Sequence, residues 1–307
     1  MMDGGAGVSA IPVYHRFVDL GKSMKPKYIS MIMPAKWYNG GRGLEQFRYD
    51  MLHDRRIRSL FDYVDPHECF PTVDIAGGIC YFLWDIHFDG MCNFVSCKCG
   101  QQYSQKRFLD YTDVLIRNNI EIDVIEKVQA KENRFLSAYV FSQKPFGLRT
   151  YVKPLSDGDI QLRYNGGTGY YLRKNIITNA ELIDKWKVIT SCLTAEHAGE
   201  TDKNGQKRIL STLEILPPGT ICTETYMLLS VFDKKEECDN FMVYLKTRFV
   251  RSLISIVTST QHISKGNFRY VPYVDFSKSW SDYQLYSKYG LTSEEIEYIE
   301  KTIKPME

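Results

Sequence analysis

The chain has 307 residues, of which 44% are hydrophobic and 25% are charged, which is typical of a soluble globular protein with room for two domains. No apolar run approaches the roughly 20 residues of a membrane-spanning helix, and residues 1–12 lack the basic start and apolar middle of a signal peptide. We therefore expect a cytoplasmic protein without a membrane partner, and the net charge of +2 by itself requires no anionic partner.

The chain opens with a glycine-rich segment, MMDGGAGVSA. Such a segment is typical of a loop that follows a buried strand and leads into a helix, yet no strand precedes it here. The beginning of the chain therefore looks like the middle of a domain.

Helices and strands then alternate, which indicates an α/β unit with a parallel sheet. The patterns predict helices over 13–24 and 43–54, and strands over 27–34, 57–64 and 79–88. The run KYISMIMP at 27–34 is apolar and closed by proline, which is typical of a buried parallel strand. Between the last two strands, HECFPTVDIAGG at 67–78 predicts a loop.

The pattern changes after about residue 98, where alternating, turn-broken segments predict an α+β region. Long helices are predicted over 235–259 and after Thr292. The glycines of QLRYNGGTGYYLRKN lie between two strand patterns, so we interpret them as a hairpin turn rather than a phosphate-binding loop. We place the domain boundary between residues 98 and 99.

The cysteines do not indicate a disulfide scaffold or a metal site. Eight cysteines are scattered along the chain, and the one cluster, CNFVSCKCG at 92–100, matches no common zinc spacing. We expect free thiols and no bound metal. The triplet Asp233-Lys234-Lys235 fits a metal-dependent nuclease motif, but Asp233 also stands where it would cap the following helix, which is the interpretation we favour.

Several segments together resemble a known family. SMIMPAKWYNGGRGLEQFRYDML at 30–52, FPTVDIAGGICYFLWD at 70–85 and the closing stretch from Tyr270 are similar to the C-terminal part of adenine-specific DNA methyltransferases of restriction-modification systems. The similarity is to the TaqI-like branch and its fused type IIG restriction enzymes. It implies an α/β fold: the trailing half of a class I, Rossmann-like methyltransferase sheet over 1–98, followed by an α+β DNA target-recognition domain over 99–307.

The resemblance also implies what precedes the opening loop. In the family, an Asn-Pro-Pro-Tyr or Asn-Pro-Pro-Phe tetrapeptide that holds the target adenine comes just before such a loop. This sequence has no such tetrapeptide, since its one Pro-Pro lies in LPPG at 216–219, and no early strand leads into a Rossmann-type site for S-adenosylmethionine. We therefore expect no cofactor on this chain alone, S-adenosylmethionine in the complete enzyme, and a missing N-terminal methyltransferase segment or partner chain.

Phe70 and Pro71 are the residues assigned to the target base. The enzyme swings this base out of the duplex, and stacking on an aromatic ring holds its flat face. In the family, an aromatic residue in the loop that matches ECFPTVD does this, and the resemblance assigns the role to Phe70. The alternative is that Phe70 fills the core beneath the turn.

The loop after the 27–34 strand holds Trp37 and Arg42. Ligands of an open parallel sheet bind beyond the carboxyl ends of its strands, so Arg42 is a candidate for a phosphate contact, with a solvated turn as the alternative. For Trp37 we expect packing against the sheet.

Three other groups of residues are candidates for contacts with double-stranded DNA. One face of the predicted 235–259 helix carries Tyr244, Arg248, Arg251 and Ser255. The following loop adds Gln261, His262, Ser264, Lys265, Asn267 and Arg269, and the predicted hairpin adds Tyr170, Tyr171, Arg173 and Lys174. A charged helical face is often only solvated, so the clustering carries more weight than any single residue.

The sequence thus predicts the DNA-recognition and base-flipping part of an adenine-specific methyltransferase or type IIG enzyme that is not catalytic alone. Two alternatives stay open. One is a stand-alone DNA-binding specificity protein, in which the exposed edge of the half-sheet would be covered by its own residues or by self-association. The other is a metal-dependent nuclease, for which strand-borne carboxylates are missing from the sequence pattern.

Overall fold

The computed structural model describes residues 12–40, 43–73, 75, 77–98, 100–192, 202, 205–210, 212–258 and 263–306. The chain forms two compact units, Met1–Asn119 and Ile120–Glu307. The division lies later than the predicted boundary at 98/99, because a strand beyond that point pairs within the first unit. None of the helices in the described ranges is long and apolar enough to cross a bilayer.

The first unit contains two helices and one five-stranded sheet. In chain order these are α1 (Tyr14–Ser23), β1 (Tyr28–Pro34), α2 (Glu45–His53), β2 (Ile57–Tyr63), β3 (Ile79–Asp85), β4 (Cys92–Lys98) and β5 (Gln101–Arg107). The order of strands across the sheet is β1-β3-β2-β4-β5. Both helices and the first three strands lie where the sequence predicts them. The hairpin of β4 and β5 is what extends this unit past residue 98.

The predicted parallel sheet is wrong for most neighbouring strands. β3 pairs antiparallel with both β1 and β2, β5 pairs antiparallel with β4, and the pairing of β2 with β4 is parallel. β1 and β2 therefore run in the same direction, with α2 between them in sequence and the reversed β3 between them in space. β1 is an edge strand, and Tyr28 and Ile32, which alternate with the core residues Ile29 and Met33, keep about half of their surface exposed where a buried strand was predicted.

The core of the first unit lies between the helices and one face of the sheet. α1 contributes Val18 and α2 contributes Phe47 and Met51, which pack with Phe82 and Trp84 of β3. The apolar residues of each helix recur every three to four positions, which places them on one face and explains why both helices were predictable.

The second unit begins at Ile120, the second residue of α3 (Asn119–Gln129), and contains two three-stranded sheets. Its strands are β6 (Ile160–Tyr164), β7 (Gly167–Tyr171), β8 (Trp186–Ser191), β9 (Leu213–Leu216), β10 (Thr220–Cys222) and β11 (Tyr226–Phe232). The strand orders are β10-β6-β7 and β11-β8-β9. β6 and β7 form an antiparallel hairpin, which confirms the interpretation of the glycines between them.

Four helices complete this unit: α4 (Lys235–Lys246), α5 (Arg248–Ile256), α6 (Asp282–Tyr289) and α7 (Ser293–Thr302). The single helix predicted over 235–259 is broken at Thr247, whose ψ of 147° is extended. The Thr247 hydroxyl accepts from the amide of Val250, and the Asp282 carboxylate accepts from the amides of Arg248 and Phe249. These oxygens satisfy the first amides of α5, which allows a new helix to begin there.

Gly78, directly before β3, carries a testable consequence of this fold. Its φ is +82°, and an added Cβ would lie 2.3 Å from the Tyr63 carbonyl oxygen and 2.9 Å from that of Val64. We expect Gly78→Ala to lower the free energy of unfolding of the first unit by about 3 kcal/mol or more, since the strain of a left-handed alanine adds to the clash.

Gly100→Ala is the matched control, because Gly100 has a φ of +73° and nothing within 4 Å of the added Cβ. It should cost only the left-handed strain, about 1 to 2 kcal/mol. Native-state hydrogen exchange of the β2 and β3 amides measures both. Equal losses in the two variants would contradict the close packing at Gly78.

Candidate functional site

The candidate site lies at one edge of the first sheet. Pro34 at the end of β1 and Tyr63 at the end of β2 are both paired with Ile79, the first residue of β3. Two connections leave this edge: a short 3-10 helix, Ala35–Tyr38, and the loop over 64–78. Ligand-binding groups of open α/β sheets concentrate beyond the carboxyl ends of strands that run in the same direction, as β1 and β2 do here.

The loop over 64–78 presents Phe70 to solvent. Asp65 accepts from the His67 amide and starts the short 3-10 helix Pro66–Glu68, after which the Phe70 amide donates to the Pro66 carbonyl at 2.9 Å. Phe70 is 40% exposed, and Pro71 beside it is also exposed. The alternative in which Phe70 fills the core is therefore wrong, while its assignment to a target base stays a prediction.

A buried charge pair lies beneath this loop. Asp62 of β2 is fully buried, and Nη2 of Arg117 donates to its Oδ1 at 2.8 Å. The same nitrogen donates to the Gly77 carbonyl at 2.6 Å, and the guanidinium lies 5.1 Å from the centre of the Tyr38 ring. Arg117 thus joins the end of β2, the end of the loop and the 3-10 helix. We name Asp62, Arg117 and Gly77 the loop anchor.

The loop anchor was not predicted from the sequence. The signal was present in IRSLFDYV, where an aspartate interrupts an apolar strand, because an acid in such a position needs a buried partner. The partner, Arg117, lies 55 residues later, and its pairing with Asp62 follows from tertiary structure alone.

Burial governs ionisation around the anchor. It raises the pKa of the Asp62 carboxyl above its usual value, although the positive charges of Arg117 and Arg107 oppose the shift. Burial also raises the pKa of the Cys80 thiol to about 12 and that of the Tyr38 phenol well above its ordinary range. Cys80 is thus a protonated thiol rather than a nucleophile at neutral pH.

Trp37 is a packing residue, as expected. It is fully buried, and its Nε1 donates to the Cys80 Sγ at 3.4 Å. The predicted phosphate contact at Arg42 lies outside the described residues, as does the glycine-rich opening of the chain.

In the second unit, the hairpin candidates occupy the end of β7 and the turn after it. Tyr171 ends β7 and is half-buried. Arg173 donates to both carboxylate oxygens of Asp184, at 2.8 and 2.6 Å, and these hydrogen bonds raise the pKa of its guanidinium. A phosphate bound by Arg173 would have to compete with this carboxylate.

The structure corrects the prediction that one face of the 235–259 helix binds DNA. Arg251 is 2% exposed and donates to the backbone carbonyls of Lys246, Thr247 and Lys304, while Arg248 forms an ion pair with Glu300. Tyr244 and Ser255 of the same predicted face are buried. Three of the four residues of this predicted face are therefore buried, and Arg251 has no surface to offer a phosphate.

The following loop retains Lys265 as an exposed side chain in the 3-10 helix Lys265–Phe268. Arg269 is half-buried and its Nε donates to the Gly266 carbonyl at 2.9 Å. Gln261 and His262 lie outside the described residues. Among the described basic candidates of this loop, Lys265 is thus the exposed one and Arg269 the half-buried one.

The nuclease alternative would require side chains that hold a metal ion. Among the described residues, no three His, Cys, Asp or Glu side chains are grouped so as to hold a metal ion.

The expected helix cap at Asp233 is wrong, because Lys234 is the residue that precedes α4 and Asp233 instead forms an ion pair with Lys185.

Parts of this chain are similar to known proteins. Residues 3–70 match the family of the Eco57I restriction-modification methylase. A protein from Mycoplasma pneumoniae (strain ATCC 29342 / M129 / Subtype 1), described as an uncharacterized adenine-specific methylase, is 33% identical over 139 residues, which are 41% of this chain and 33% of that protein. The aligned region thus spans about a third of this curated relative.

A solved structure, the type IIG restriction endonuclease BpuSI, aligns with 96% of this chain and 44% of its own, at 12% identity and a TM-score of 0.36. A TM-score this low does not establish a common fold.

The loop anchor predicts a pH-dependent loss of stability when its cation is removed. In Arg117→Met, Asp62 keeps its burial but loses the nearest positive charge, so its pKa in the folded protein rises further above the unfolded value near 3.8. A group with a raised folded pKa stabilises the fold below the unfolded pKa, and this stability is lost as pH rises through the folded pKa. The variant should therefore be less stable than the native protein by about 3 kcal/mol at pH 8. At pH 5 this loss of stability should be smaller.

Urea unfolding at the two pH values measures this effect. The double variant Asp62→Asn/Arg117→Met has no carboxyl to ionise at this position, so its stability relative to the native protein should change less with pH. A deficit in Arg117→Met that is the same at pH 5 and pH 8 would contradict the assignment of Asp62 as the titrating group.

Proposed function

Because the chain is related to the adenine-specific methylases of restriction-modification systems, we propose that it supplies DNA recognition and one wall of a base-flipping pocket. The enzyme would be an adenine-specific DNA methyltransferase or a type IIG restriction-modification enzyme, with double-stranded DNA as partner. The first unit would supply the trailing half of a class I methyltransferase sheet, and the second would act as the target-recognition domain.

The observation that carries this proposal is the exposed ring of Phe70 above the loop anchor. Most phenylalanines are buried, because leaving an aromatic ring in water is unfavourable. Here the ring is exposed on a loop whose base is held by Arg117 through Asp62 and Gly77. An extrahelical base offers a flat apolar face that such a ring can cover, and a loop already held in place loses little entropy when it binds.

The proposal assigns methyl transfer to residues beyond this chain. The sequence contains no Asn-Pro-Pro-Tyr or Asn-Pro-Pro-Phe tetrapeptide to bind the adenine amino group. We assign that tetrapeptide and the S-adenosylmethionine site to another segment or to a partner chain. The chain alone would then recognise DNA without methylating it.

Within the second unit, the proposed DNA contacts are fewer than the sequence indicated. Arg248 and Arg251 are withdrawn because an ion pair and three backbone carbonyls occupy them. Lys265, Arg269, Tyr171 and Arg173 remain as proposed contacts, together with Gln261, His262 and, in the first unit, Arg42. A cationic side chain that releases a counterion from phosphate strengthens binding at low salt, so this set makes the affinity salt-dependent.

The role of Phe70 is tested with a duplex whose adenines are replaced one at a time by 2-aminopurine. The duplex site is first selected from a random-sequence pool with the full chain. We expect one position to gain fluorescence on binding, since the analogue brightens when it leaves the base stack. Phe70→Ala should reduce that gain and weaken binding about tenfold, the size of one lost aromatic stack, whereas Phe70→Trp should retain both.

Val73→Ala is the control, because Val73 lies on the same loop and is 43% exposed. It should leave the fluorescence and the affinity unchanged. The role of Phe70 is refuted if Phe70→Ala binds the selected duplex as tightly, and with the same fluorescence gain, as Val73→Ala.

A further inference from the structure

A groove in the second unit contains Lys265, one of the DNA contacts proposed above, and its other lining residues have no role in that function. Its volume is about 460 Å³, within the range of pockets that hold small ligands. It is lined by Ala138, Tyr139, Val140, Phe141, Ser142, Ser230, Val231, Lys265 and Tyr273. We name it the tyrosine groove.

One wall of the groove is a stacked aromatic pair. The rings of Tyr139 and Tyr273 lie 3.7 Å apart between centroids with an angle of 14° between their planes, and both residues are half-buried. Phe276 packs edge-on against Tyr273 at 5.1 Å, which fixes the orientation of that ring. Because both tyrosines are only half-buried and line the groove, part of their surface is accessible to a ligand.

The backbone holds this wall in place. The Tyr273 amide donates to the Arg134 carbonyl at 2.9 Å, and the Leu136 amide donates to the Val271 carbonyl at 2.7 Å. The Tyr139 amide donates to Leu136, so the two segments that carry the tyrosines are joined by hydrogen bonds. The rings are thus positioned before any ligand arrives, which reduces the entropy lost on binding.

The polar groups of the groove favour an anion. Lys265 is exposed and provides a positive charge, and the exposed Ser142 offers a hydroxyl. The groove lining described here contains no aspartate or glutamate. A ligand that suits these walls has a flat aromatic part to stack on tyrosine and a negative charge to meet the lysine.

We propose that the tyrosine groove binds one unstacked nucleotide, with its base against the Tyr139–Tyr273 pair and its phosphate on Lys265. This inference rests on the proposed function, because the nucleotide would belong to DNA that the second unit binds. A free nucleotide has the same chemistry and is distinguished below. The residues of the groove belong to the second unit, whereas Phe70 belongs to the first.

The test uses the full chain and two ligands: deoxyadenosine monophosphate, measured by equilibrium dialysis, and a fluorescein-labelled single-stranded deoxyoligonucleotide, measured by anisotropy. Tyr139→Ala should weaken binding about tenfold, and Tyr139→Phe should restore it because stacking needs the ring and not the hydroxyl. Lys265→Ala should lower the slope of log Kd against log salt for the oligonucleotide by about 0.7, the value for one phosphate contact on a single strand.

The controls are Tyr283→Ala on α6 and Lys301→Ala on α7, whose side chains are largely exposed and do not line the groove. Losses for both ligands indicate a nucleotide site open to either source, and losses for the oligonucleotide alone assign the site to a DNA strand. The proposal is overturned if the Tyr139 and Lys265 variants bind as the controls do, or if the native chain binds neither ligand.

A parallel titration with duplex DNA separates this inference from the proposed function. Duplex binding with no effect of the groove variants on either ligand overturns the groove alone. Nucleotide binding that depends on Tyr139, without duplex binding, overturns the proposed function and leaves the groove as a site for free nucleotides.

Discussion

Arg117 binds a carboxylate and a loop carbonyl with one guanidinium nitrogen, and the architecture around Phe70 depends on this double contact. Asp62 is fully buried, so an unpaired charge there would be strongly destabilising. The same arginine binds the Gly77 carbonyl at the end of the loop. The next residue, Gly78, has no side chain, which allows the backbone to pass close to the Tyr63 and Val64 carbonyls. An exposed aromatic ring is thus carried by a loop whose end is fixed in the interior.

Charge counted along a sequence is a poor guide to the charge that a partner meets. The stretch 241–271 has five basic residues and no acidic one, which suggests a nucleic-acid surface. In the folded chain Arg251 is buried among backbone carbonyls and Arg248 is paired with Glu300. Lys265 keeps its exposed amine, and it does so beside a stacked pair of tyrosines. The candidate for contact with an anion is therefore Lys265 in the groove rather than the predicted helical face.

The sequence predicted what depends on local pattern. α1, α2, β2 and β3 were found because their apolar residues follow the helical or strand period, and the β6–β7 hairpin because glycines separate two strands. The antiparallel pairing of β1 with β3 and the break at Thr247 were not predictable, since the first depends on which strand inserts beside β1 and the second on Asp282, far along the chain. At the site, the exposed Phe70 followed from the resemblance to a family, whereas the pairing of Asp62 with Arg117 depends on tertiary contacts.

The central claim is that this chain recognises DNA without the donor site for methyl transfer. The most direct test is a fluorescence titration of the chain against duplex DNA at several salt concentrations, with and without S-adenosylmethionine. The account predicts binding that weakens with salt and is unaffected by S-adenosylmethionine, with the slope reporting the number of phosphate contacts. Binding that tightens with S-adenosylmethionine, or no binding at any salt concentration, would contradict it.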